Sequence, residues 1–166
     1  MECIFLRHGI AVACEEWNGH ECDRPLSDEG CPKTKKAVAG LQTLGILPTH
    51  VLTSPFRRAQ ETAKIVIQSF ALTSEALQVC QELQWDQSPL GLCALLKKFP
   101  EHSQVICVGH EPHLSQSVAY LVFGNTVPGL SLKKAGACCV RIDGEPHIGT
   151  AILKWWLTAA QLRRLR

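Results

Sequence analysis

Apolar runs of strand length alternate along this chain with stretches that carry the 3.6-residue period of helices. Residues 2–6 (ECIFL) read as a buried strand, and residues 12–26, rich in charge and turn formers, as a loop. From Ser27 the text SDEGCPKTKKAVAGLQTLG becomes helical. Ser27 suits the cap, Asp28 and Glu29 the first turn, and Ala37, Leu41 and Leu44 share one face. Pro32 fits the interior of a helix poorly, so the regular helix is expected to begin near it. HVLT (50–53) predicts a second strand, and SPFRRAQETAKIVIQSF a helix capped by Ser54 with Pro55 at its first position. A third strand is expected at ALQVC (76–80), a helix from Ser88-Pro89 to Phe99-Pro100, and a fourth strand at SQVICVG (103–109). Pro112 opens a helix to Phe123-Gly124. GACCVRI (136–142) and TAILKWW (150–156) then read as two late strands paired across DGEPHIG. The alternation predicts an α/β architecture, a partly parallel sheet with helices on both faces.

Composition sharpens this picture without changing it. The 166 residues fit one domain spanning 1–166, and 46% apolar with 19% charged residues describes a globular chain. A net charge of +2 gives no reason to expect nucleic acid as a partner. The one basic run, LRRLR, reads as a helix with Leu162 and Leu165 inward and Arg163, Arg164 and Arg166 wet, not as an RNA- or membrane-binding tail. LGLCALL and ILKWWL fall well short of the roughly 20 residues of a membrane span. Nine cysteines, an odd number without a C-x-x-C pair, read as reduced thiols of a cytoplasmic protein, in keeping with a start that lacks the pattern of a signal peptide. Cys138 and Cys139 are expected on opposite faces of one strand.

The chemistry lies at the ends of the strands. The first ends in Arg7-His8-Gly9. The second ends in Thr53-Ser54-Pro55, with Arg57 and Arg58 in the following turn, and the fourth ends in Gly109-His110-Glu111-Pro112. Loops beyond the carboxyl ends of parallel strands converge on one crevice, which would bring together arginines and two histidines. Arginine forks bind phosphoryl oxygens bidentately, helix N-termini add amide donors, and a neutral imidazole can attack phosphorus. Glycines beside both histidines, Gly9 and Gly109, would let the backbone approach the ligand. Each motif alone is weak; three at strand-to-helix turns carry weight together. His113, three residues after His110, makes only a superficial metal pair, with a proline between and no third ligand. Trp17, Trp85, Trp155 and Trp156 read as core or rim residues.

LRHG, RPLSDEG (24–30), TSPFRRAQETA (53–63), VGHEP (108–112) and LKKAGA (132–137) together resemble the histidine phosphatase superfamily, and within it the small SixA-like phosphohistidine phosphatases. The resemblance implies a three-layer α/β/α sandwich around a mixed, mostly parallel sheet of the phosphoglycerate mutase type. It also implies that His8 is the nucleophile, that Arg7, Arg58 and His110 bind phosphate together with Gly9, and that Arg57 faces solvent. No metal or cofactor is implied. The chain departs from the family in carrying Ile10 where an acidic residue often follows RHG. For a general acid it offers Glu82 and Asp86 after the third strand; the alternative reading is that both are surface loop charges. Short connections leave no room for a lid domain, and a P–N bond needs less proton assistance than a P–O bond. Both favour a histidine-phosphorylated protein as substrate, such as a phosphotransfer domain. The alternatives are a small-molecule phosphomonoesterase or mutase and a non-catalytic phosphohistidine-binding module.

Overall fold

A computed structural model describes residues 1–165; the expectation for Arg166 lies outside the described residues. Six strands make one mixed sheet: β1 (Glu2–Arg7), β2 (His50–Thr53), β3 (Leu77–Val79), β4 (Gln104–Gly109), β5 (Ala137–Arg141) and β6 (Ile152–Leu157), in the order β3-β2-β4-β1-β5-β6. β3, β2, β4 and β1 run parallel, β5 lies antiparallel to β1, and β6 antiparallel to β5. The helices are α1 (Gly30–Thr43), α2 (Arg57–Ser69), α3 (Pro89–Leu96), α4 (His113–Phe123) and the short α5 (Ala159–Leu162).

Because side chains alternate along a strand, the buried strands feed two cores. Cys3, Phe5, Val105, Cys107, Cys138 and Val140 pack with Leu92 and Leu96 of α3 and Leu114 and Val118 of α4. Ile4, Leu6, Ile106, Val108 and Cys139 pack on the other face with Val38 and Leu41 of α1, Ala63 and Val66 of α2 and Leu162 of α5. The result is the α/β/α sandwich the pattern predicts, with Cys138 and Cys139 on opposite faces.

The differences are local. α1 begins at Gly30, and Ser27 Oγ accepts from the Gly30 amide at 3.0 Å, so Pro32 falls in the first turn, where its missing N–H has no intrahelical partner to lose. Leu44 caps the end of that helix and is exposed. α2 begins at Arg57 and α4 at His113, each later than its proline. Leu165 is exposed, since α5 stops at Leu162. Two short 3₁₀ turns, Cys14–Glu16 and Glu21–Asp23, punctuate the expected loop.

β1 and β4 are adjacent and parallel, with Arg7 opposite Gly109. The chain leaves β1 toward α1 on one layer and leaves β4 into α4 on the other. That divergence opens a crevice at their carboxyl ends.

Candidate active site

The crevice is a pocket of about 330 Å³ lined by residues from six segments, with Arg7, His8, Arg58, His110, Glu21 and Glu111 supplying most of its charge and chemistry. His8 leaves β1 with its amide bonded to the Gly109 carbonyl at 3.0 Å, which ties the two histidine-bearing turns together. The His8 and His110 rings stand 5.0 Å apart.

His8 is buried, and its Nδ1 lies 2.8 Å from the Gly9 carbonyl. A carbonyl only accepts, so Nδ1 carries the proton and Nε2 keeps its lone pair. Nε2 faces Arg58, whose Nε donates to it at 3.3 Å. Burial, then the neighbouring His110, holds the His8 imidazole well below its ordinary range. His110 is driven down to about 3 by burial and then by Arg58 and Arg7. His110 Nε2 meets Ser54 Oγ at 2.8 Å, while its Nδ1 is buried without a partner among the described residues. Ser54, expected as a helix cap, accepts from the Phe56 amide at 3.3 Å but also fixes His110.

Two arginines flank the histidines. Arg7 Nη1 donates to the Leu132 carbonyl at 2.7 Å, so LKKAGA (132–137) serves to brace this guanidinium. Arg58, only 5% exposed, donates from Nη1 to the Glu21 carbonyl at 2.9 Å, and its Nη2 lies 3.1 Å from Glu21 Oε1. Its guanidinium also sits 5.0 Å from the centre of the Phe56 ring. Arg57 points away and pairs with Glu61 at 2.8 Å. The guanidinium forks and unprotonated His8 Nε2 thus share a small space, a geometry suited to holding a phosphoryl group against a nitrogen nucleophile.

The remaining expectations fare differently. Gly9 is favoured by close packing: a Cβ there would come within 2.1 Å of Thr34 Oγ1. Its amide, however, donates to Thr62 Oγ1 at 3.0 Å and its carbonyl holds His8, so Gly9 orients the His8 ring instead of presenting a free donor. Glu82 and Asp86 do not line the pocket, because the 3₁₀ turn Gln81–Leu83 buries Leu83 and the chain then turns Trp85 toward the rim. His113 is fully buried at the start of α4, and among the described residues no group of three or more His, Cys, Asp or Glu is placed to hold a metal ion. Glu21, Arg24, Phe56, Glu111 and Lys134 line the pocket without having been singled out for it. Arg24, Phe56, Glu111 and Lys134 stand inside the quoted motifs RPLSDEG, TSPFRRAQETA, VGHEP and LKKAGA, which was the available signal, while Glu21 lies outside them.

The sequence model of the histidine phosphatase superfamily (branch 1) matches residues 3–89, and the chain belongs to that superfamily. Its members are phosphatases with a histidine nucleophile. An uncharacterized protein of Picosynechococcus is 36% identical over 143 residues, 85% of each chain. The phosphohistidine phosphatase SixA of Escherichia coli is 25% identical over 169 residues, covering 98% of this chain and 97% of its own. The structure of the protein histidine phosphatase SixA bound to tungstate superposes with a TM-score of 0.85 at 25% identity, covering 98% of this chain and 99% of that one. The same fold occurs in a putative α-ribazole-5′-phosphate phosphatase of Escherichia coli, with a TM-score of 0.76 at 18% identity over 97% of this chain and 98% of that one.

Proposed function

We propose that this protein is a metal-independent phosphohistidine phosphatase acting on histidine-phosphorylated proteins, phosphotransfer domains among them. The observation that carries the reading is the His8 ring: buried, proton on Nδ1, with an unprotonated Nε2 that accepts from Arg58 Nε and a ring 5.0 Å from that of His110. Arg7, Arg58 and His110 hold the phosphoryl oxygens. His8 Nε2 attacks phosphorus, the bond to the substrate nitrogen breaks, and a phosphorylated His8 forms. Water then attacks that phosphorus, releasing phosphate and restoring the imidazole. The likeness to SixA over nearly the whole chain supports the protein substrate. All nine cysteines are free thiols, which supports a reducing compartment such as the cytoplasm. No helix among the described residues is long and apolar enough to cross a membrane.

A second reading, a small-molecule phosphomonoesterase, is favoured by the pocket itself. Its volume of about 330 Å³ falls at the low end of what small ligands occupy. Phosphate release in EDTA from a histidine-phosphorylated protein and from p-nitrophenyl phosphate separates the two. Release from the phosphoprotein that His8→Ala abolishes is the expected result. A strong preference for the aryl ester would favour the small-molecule reading, and phosphate binding without turnover of either would mean a non-catalytic binding module.

A further inference from the structure

Two carboxylates enter the pocket, and their surroundings push them in opposite directions. Glu21 is exposed and gripped by cations: Arg24 donates to it from Nε at 2.8 Å and from Nη2 at 2.7 Å, and Arg58 Nη2 lies 3.1 Å away. The Arg24 hydrogen bonds hold it below the ordinary carboxylate range. Glu111 is half-buried directly after His110. Its Oε2 accepts from Ser115 Oγ at 2.5 Å, while Oε1 is buried with no hydrogen-bond partner among the described residues. Burial raises its carboxyl above the usual range, against the opposing pull of the Ser115 hydroxyl, of the Leu132 backbone and of Arg7. Two carboxylates set apart in this way divide into a permanent anion and a group able to exchange a proton. A buried oxygen without a partner also calls for a ligand or a proton to satisfy it.

We propose that Glu111 is the proton carrier of the reaction, an assignment that rests on the phosphatase reading above. In the first step the His8 Nε2 lone pair forms a bond to phosphorus while the bond from phosphorus to the leaving atom breaks. The electron pair of that bond stays on the leaving atom, which takes the proton of the Glu111 carboxyl. In the second step water attacks phosphorus and passes its proton to the Glu111 carboxylate. The P–Nε2 bond then breaks, its electron pair returns to His8, and phosphate leaves with Glu111 protonated again. The charged and titratable groups around Glu111 are Arg7 at the end of β1, the Cys138 thiol of β5, whose own ionisation burial suppresses, and His110 next to it in sequence. Burial holds both His110 and His8 below the ordinary imidazole range, opposite in direction to the raised Glu111 carboxyl.

The test compares wild type, Glu111→Gln and Glu111→Asp on phenyl phosphate, whose leaving group needs a proton, and on p-nitrophenyl phosphate, whose leaving group does not. Rates are followed from about pH 5 to about pH 8, with orthovanadate affinity measured alongside. Glu111→Gln is expected to lose about 100-fold in kcat on phenyl phosphate, and far less in the first turnover of p-nitrophenyl phosphate. The fall of the wild-type phenyl phosphate rate with rising pH should flatten in Glu111→Gln and persist in Glu111→Asp, with vanadate affinity unchanged in both. Full activity in Glu111→Gln with the pH limb intact overturns the assignment. So do equal losses on both substrates accompanied by weaker vanadate binding, which would make Glu111 a support for Arg7. A wild type inert toward every phosphate compound would sink the phosphatase reading itself, and the carrier role with it.

Discussion

His8 and His110 are neutral for the same reason, and that reason makes them sensitive to acid. Burial and the nearby guanidinium groups favour the uncharged rings, so the folded protein resists protonating them until His110 reaches about 3. An unfolded chain protonates the same imidazoles near 6.5. Between those values the unfolded state binds more protons, and stability falls as pH drops below 6.5, levelling off only below the folded-state value. From pH 7 to pH 5 the loss from His110 is about 2 kcal/mol, and His8 shifts stability in the same direction. His110→Asn should therefore flatten the decline of Tm with acid, and a variant that tracks the wild type over this range would contradict the account. At this scale the sequence was informative where a residue's job is set by its own chain position. Arg7, His8 and His110 stand at strand ends and Arg58 in the first turn of α2, and the four meet in one pocket as expected. Glu111 and Glu21 were harder to read, because their character depends on what folds around them. An identical side chain is held below the ordinary carboxylate range beside Arg24 and pushed above it where burial encloses it.

Elements were legible in order and type because strand and helix periods differ, but their boundaries were not. Ser54 and Ser27 both resemble caps, yet Ser54 spends its hydroxyl on His110 while α2 starts at Arg57. Leu165 looked inward by helical spacing, but the helix ends before it. No local signal announced that α1 and α5 would meet almost backbone to backbone. At Gly40, inside α1, an added Cβ would lie 2.1 Å from the Leu162 carbonyl oxygen. Alanine favours a helix interior over glycine by about 1 kcal/mol, so a surface position would gain from the change. Here a backbone atom blocks the methyl and cannot rotate away, and forcing the two elements apart costs about 1–3 kcal/mol. Gly40→Ala is expected to lower the urea midpoint, and a raised midpoint would show that α5 yields without loss.

For the molecule as a whole, the arrangement of charge matters more than its amount. The net charge is only +2, too little for the chain's long-range field to draw an anion toward any particular face. The pocket alone gathers Arg7, Arg24, Arg58 and Lys134 against Glu21 and Glu111, a local excess as large as that of the whole chain. A concave site concentrates such a field at its mouth, and added salt screens it over about 8–10 Å. The groups proposed to carry the chemistry, by contrast, are buried: His8, His110 and the Arg58 side chain are nearly closed to solvent. Capture and turnover should then respond differently to ionic strength. For a histidine-phosphorylated protein, kcat/KM is expected to fall several-fold between low salt and about 0.5 M sodium chloride while kcat holds nearly constant. Equal declines in both would move the salt-sensitive step from capture into the chemistry, and no decline in either would mean that the pocket's cations act only after contact.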